Sequence, residues 1–322
     1  MNQARRRKPT RRGGLQWAAA ALWLLASCAE PAEDAADPSV KACADWSTAW
    51  CKGVGECAQY TLASQYGTAA TCQLRQQAVC LARLAAADSG QTAAQVSACA
   101  SAMAAAQGCE WVGAIDTLMA CRPAAGKRAN AQACGDHSQC ASGLCRGADT
   151  ALCGTCANRA ALAAPCSSTS DCQPGLACAA TSSIKVCVAR VAIGDLCDSS
   201  HVCLAPAVCS AGVCAPPASP GAACDPGLKN CNGGAGYYCH DQKALCTAFG
   251  VAAQGAACGY FDGDRVSCAY GSTCKLTGGG KGVCQPIAVD GGSCSVSDQV
   301  PCLAGAVCSG GVCGVAAPNS CN

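Results

Sequence analysis

Cys197-Asp198-Ser199-Ser200-His201-Val202-Cys203-Leu204-Ala205-Pro206-Ala207-Val208-Cys209-Ser210-Ala211-Gly212-Val213-Cys214 holds four cysteines in eighteen residues. The spacing recurs. Labelling the four C1 to C4, residues 131–322 align as quartets at 134/140/145/153, 166/172/178/187, 197/203/209/214, 224/231/239/246, 258/268/274/284 and 294/302/308/313. A glycine stands three before C1 in Gly194, Gly221, Gly255 and Gly291, and three before C3 in Gly175, Gly271 and Gly305. Shared cysteines and shared glycines at a period of about thirty residues mark an internal repeat. The expected fold class is therefore small and disulfide-rich, with β-hairpin-type four-cysteine units starting near 131, 163, 194, 221, 255 and 291.

The hairpin follows from the C3–C4 segment. Ala211-Gly212, and Gly310-Gly311 between Cys308 and Cys313, suit a two-residue turn flanked by Ser and Val; Gly278-Gly279-Gly280 suits a longer one. Cysteines opposite each other on such a hairpin point to the same side and reach C1 and C2 more easily than each other. The favoured pairing is C1–C3 with C2–C4, and the C3–C4 alternative is disfavoured only weakly. Cys156 and Cys321 are left over, to pair together or to bridge to the other half. With its closures local, each unit is expected to be autonomous, a bead on a string. Units of this size without Trp or Met bury too little apolar surface to offset chain entropy. Two cross-links per unit, each worth roughly 3 kcal/mol for a loop of about 15 residues, supply what the core lacks.

Residues 39–125 are different: rich in Ala, Leu and Gln, with cysteines 43, 51, 57, 72, 80, 99, 109 and 121. Val40, Cys43, Trp46 and Trp50 fall at helical spacing. Thr92 and Gln95 form a capping box, ahead of a face made by Val96, Cys99, Ala100 and Met103, with Gly108 as the stop. A last helix carries Trp111, Ile115, Leu118 and Met119. Four or five short helices held by about four disulfides are expected, with Trp46, Trp50 and Trp111 as core.

The chain opens on Arg5, Arg6, Arg7, Lys8, Arg11 and Arg12, then an apolar run too short to span a bilayer comfortably. Leu25-Ala26-Ser27-Cys28 follows and resembles the lipobox of bacterial lipoproteins. That resemblance implies cleavage of residues 1–27 and lipid attachment at Cys28; ordinary secretion with cleavage after Ala29 is the alternative. Residues 28–38 read as an acidic tether. The leader takes six of the 22 basic residues and none of the 20 acidic ones, leaving a net charge of −4. Such a chain has no basic stripe for nucleic acid. Export and 34 cysteines beyond Cys28 mean a disulfide framework.

Cys134, Cys140, Cys145, Cys153 and Cys156, with Cys166, Cys172, Cys178 and Cys187, carry a further likeness. Their spacing, and Asp171-Cys172-Gln173-Pro174-Gly175-Leu176-Ala177-Cys178, are similar to the N-terminal cysteine-rich domain of Dickkopf proteins over residues 134–187. The resemblance implies a similar disulfide scaffold and nothing about Wnt signalling. The whole layout also looks like the Ala- and Cys-rich lipoproteins of myxobacteria, which implies an envelope location.

Candidate chemistry is sparse. His137, His201 and His240 lie in loops near cysteines, and no Gly-x-Ser-x-Gly elbow accompanies them. Asp262-Gly263-Asp264 hints at calcium without the remaining oxygen ligands. Cys153-Gly154-Thr155-Cys156 has redox spacing without its βαβ context. No catalytic, cofactor or metal residue is assigned. The expectation is a non-enzymatic secreted or lipid-anchored envelope protein, acting as a structural or protein-binding module. It is expected at the outer membrane, facing periplasm or surface. Its partners would be the membrane, through the lipid, and an envelope or extracellular protein or glycan met by the C1–C2 loops, with no nucleic acid. A thiol-oxidoreductase or hydrolase, and a metal-binding protein, are the alternatives.

Overall fold

A computed structural model describes residues 37–148, 152–181, 184–227, 230–295 and 300–321. The leader, Cys28 and nearly all of the tether lie outside them. Residues from Ala36 on form one compact unit. None of its described helices is long and apolar enough to cross a membrane.

Four helices come first: α1 (Pro38–Cys57), α2 (Gln59–Tyr66), α3 (Ala69–Leu84) and α4 (Ala93–Ala105). Asp37 accepts the Ser39 N–H at 2.8 Å and Pro38 opens α1, so the free N–H groups of its first turn are partly satisfied. Thr68 caps α3, and Thr92 with Gln95 forms the expected capping box on α4. Cys43–Cys80 and Cys51–Cys72 fasten α3 to α1, while Cys57–Cys109 and Cys99–Cys121 hold the segment after α4. Trp46 and Trp50 stack with centroids 6.3 Å apart, and Trp111 is buried against Met103 and Cys99. Gly53 makes room for it, since a Cβ there would stand 2.2 Å from the Trp111 ring.

The last expected helix is absent. Ile115–Thr117 and Met119–Cys121 are single 3₁₀ turns, separated by an extended Leu118. Cys109 and Cys121 pin both ends of this short segment to α1 and α4, and Trp111 must turn inward. A continuous α-helix cannot meet all three constraints.

The remainder is built of short antiparallel hairpins, two of which take on a further parallel strand: His201–Cys203 beside Ile184–Val191, and Gly250–Ala252 beside Asp264–Cys268. Cys178 faces Cys187, Cys209 faces Cys214, Cys239 faces Cys246, Cys274 faces Cys284, and Cys308 faces Cys313. Ala211-Gly212 and Gly310-Gly311 form their turns with positive φ at both positions, as expected. From Cys166 onward every quartet bonds C1 to C3 and C2 to C4.

The first quartet differs from its expected membership. Cys134 bonds Cys145, but Cys140 bonds Cys156, and Cys153 bonds Cys321. Cys156, not Cys153, faces Cys145 on the hairpin. The backbone explains why. Three residues before C1, Ala163, Gly194, Gly221, Gly255 and Gly291 each donate their N–H to the C4 carbonyl at 2.8–2.9 Å. Ala131 donates likewise to Cys156, at 2.8 Å. Spacing misidentified C4 because Cys153 comes first along the chain. The leftover cysteines accordingly neither pair with each other nor reach the helices.

The hairpins do not form a free string. Along the chain they touch the helical hub in succession. Gly90 N–H donates to Ser138 O and Gly175 N–H to Asp116; Ala205 lies against Gly113. Tyr60 and Thr61 N–H donate to Gly234 O, Tyr270 lies on Gly67, and Arg75 of α3 pairs with Asp290. Asn319 then bonds Ala85 and Ala87 beside the starting point. The hairpins form a belt around the hub, and Cys153–Cys321 closes it.

Candidate functional site

The belt is built on sulfur. Cys134, Cys140, Cys145 and Cys156 are at most 2% exposed and form one cluster. Three sulfurs lie within 4.8 Å of one another in several quartets, as Cys258, Cys268 and Cys284 do. Such grouping resembles a metal nest, but each sulfur is bonded in a disulfide and offers no thiolate. The two crossed cystines of a unit take the place of an apolar core. Seventeen disulfides among the described residues point to an oxidising, extracytoplasmic compartment.

Cys153 and Cys156 belong to two different bonds, so the Cys-Gly-Thr-Cys run is not a dithiol pair. Cys28, the expected lipid site, lies outside the described residues.

The histidines hold turns. His137 Nδ1 accepts the Cys145 N–H at 2.9 Å, fixing C3 of the first unit. His240 is 1% exposed, and its Nδ1 accepts from the Gln242 and Lys243 N–H groups. That leaves the proton on Nε2, 3.2 Å from Asp264. His201 is half exposed and meets Asp198 at 2.9 Å. His137 and His240 thus spend Nδ1 on the backbone rather than on a nucleophile. Asp262-Gly263 is the turn between strands Ala257–Phe261 and Asp264–Cys268, and Asp264 faces His240 and Lys243.

Of the polar residues just before C2, Asp171 stood out in the sequence as part of the Asp171-Cys172 run, whereas Gln139 and Asn230 did not. Gln139 accepts from Gly135 and Asp136 N–H, Asp171 from Ser167 and Ser168, and Asn230 from Asp225. Each ties the start of the C1–C2 loop to its end. Burial alone would raise the Asp171 carboxyl, but the two serine N–H groups and Arg146 outweigh it and hold it below the ordinary value. The sequence signal was the recurrence of Gln, Asp or Asn before C2 in three quartets.

Three little-exposed arginines clamp belt to hub. Arg75 reaches Asp290 in a fork, with both Nη groups at 3.0–3.1 Å, and also bonds the Ala304 carbonyl. Arg128 joins Asp88 to the carbonyls of Ala133 and Cys321. Arg190 meets Asp116 at 2.8 Å. Burial pushes the Asp116 carboxyl up, yet the Gly175 N–H and Arg190 together draw it below its ordinary value.

The C1–C2 loops are not equivalent. The first is turned inward: Ser138 and Gln139 are buried against the hub. The loop at Asp198–Ser200 is exposed, and that from Gly259 to Ser267 is itself part of a hairpin. Large apolar side chains also stand on the outer belt, among them Leu162 (61% exposed), Leu196 (77%), Val289 (61%) and Val312 (47%). Leu196 bridges Val213 across a hairpin edge.

No family model, curated protein or solved structure matches this chain.

Proposed function

We propose that the chain is a non-enzymatic envelope protein, anchored through a lipid on Cys28, whose cystine-braced belt presents loops and apolar knobs to a protein or glycan partner. We also take the belt to be six copies of one unit, and residues 134–187 to share the scaffold of Dickkopf cysteine-rich domains. One observation carries the binding reading: Leu196 and Val213 stand exposed together on a rigid frame. Exposed apolar groups on a rigid scaffold favour association.

Cross-linking in intact cells tests the reading. Wild type should capture a discrete partner, and Leu196→Glu should lose it while keeping every disulfide. An unchanged capture profile would remove the outer belt from recognition. The anchor is tested separately: Cys28→Ser should move the protein from the membrane to the soluble fraction, whereas an unmodified N-terminus at Glu30 in wild type would exclude lipidation. Free thiols in the native protein would support the oxidoreductase alternative instead.

A further inference from the structure

The seam between the hub and the first two belt units forms a half-open cavity of about 270 Å³. Its apolar lining includes Trp46, Val96 and Ile115, together with the sulfurs of Cys80, Cys99 and Cys121. Four arginines, Arg83, Arg122, Arg159 and Arg190, line it with two aspartates, Asp116 and Asp136. Both carboxylates are matched: Asp116 pairs with Arg190 at 2.8 Å and Asp136 with the Arg83 Nε at 3.1 Å. Arg122 gives its Nε to the Asp116 carbonyl at 3.0 Å, and among the described residues it has no ion pair. Its two Nη groups have no bonded partner there either. The cavity therefore offers an uncompensated guanidinium beside an apolar floor. The sequence after the leader is net acidic, so this local excess of positive charge runs against the charge of the molecule as a whole.

We propose that this cavity binds a small amphipathic carboxylate, its apolar body against Trp46, Val96 and Ile115 and its carboxylate on the Arg122 Nη groups. The step goes beyond the envelope-binding reading and does not depend on it. A planar guanidinium suits a carboxylate through paired N–H donors. A cavity of about 270 Å³ has room for the eight-carbon body of octanoate.

The test is calorimetric titration of the full oxidised protein with octanoate, alongside octanol and octylamine. Saturable octanoate binding should appear, at least tenfold tighter than octanol, with octylamine weakest. Tryptophan emission should change on binding, because Trp46 lines the cavity. Arg122 is exposed, so Arg122→Gln should fold normally and weaken octanoate at least tenfold, while Lys52→Gln, an exposed change on α1, should leave it unchanged. Equal affinity for octanol and octanoate, or no saturable octanoate binding, would overturn the proposal without any variant. An unaltered affinity in folded Arg122→Gln would overturn the assigned carboxylate contact.

Discussion

Ala131 and Ala163 adopt the left-handed backbone, φ 70° and 63°, at the position where Gly194, Gly221, Gly255 and Gly291 stand at 76–95°. The conformation is required because it aims the N–H at the C4 carbonyl, and glycine takes it without a Cβ penalty. A Cβ on Gly255 would meet nothing within 4 Å, so the barrier there is torsional only. Gly255→Ala should cost roughly 1–2 kcal/mol, and Gly255→Val more, because a β-branched residue tolerates positive φ worst; thermal denaturation reads both. An equal melting temperature for all three would show that the hydrogen bond does not need this backbone. Asp116 gives a second residue-level expectation. Its folded pKa is depressed, so its stabilisation is complete above the ordinary value of 3.8 and is lost as pH falls below that through the folded value. Asp116→Asn should therefore cost about 2 kcal/mol at neutral pH, with the gap to wild type narrowing as the pH falls below 3.8. A gap independent of pH would mean that the charge on Asp116 contributes nothing.

At the scale of elements, hub and hairpins are held by different forces. The hub has Trp46, Trp50, Trp111, Val54 and Val96 in addition to its disulfides, whereas the hairpins cluster around cystine. Full reduction should leave residual helix in the far-ultraviolet spectrum while residues 131–322 become protease-sensitive throughout. Protease resistance of that segment after reduction would contradict the cystine core. The hairpins were legible because their determinants are local: Ser210-Ala211-Gly212-Val213 contains its own turn. The Thr92–Gln95 cap was legible for the same reason. The segment 111–121 was not, because its apolar spacing suits a helix while two distant disulfides and the Gly53 niche decide its path. The three arginine clamps were invisible for a related reason. Arg75 and Asp290 are 215 residues apart, and no local pattern marks either as paired.

For the whole molecule, one bond distinguishes a closed belt from beads on a string. Cys153–Cys321 spans 168 residues. Each intervening cystine shortcuts the chain, but closure entropy varies only with the logarithm of loop length, so this lowers its contribution by less than about 1 kcal/mol. The bond also has a positional effect: it holds the tail where Arg128 bonds the Cys321 carbonyl and Asn319 meets Ala85 and Ala87. Replacing both cysteines by serine should leave the other sixteen disulfides formed and speed proteolysis selectively after residue 315. An excised unit such as 194–217 should pair its own four cysteines yet melt well below the intact chain, since it loses the hub. The most direct test of the closed belt is peptide mapping of disulfides in the native, unreduced protein. The expected result is Cys153 linked to Cys321 and Cys140 linked to Cys156; a Cys321 left unpaired, or joined to a cysteine outside the first unit, would contradict it.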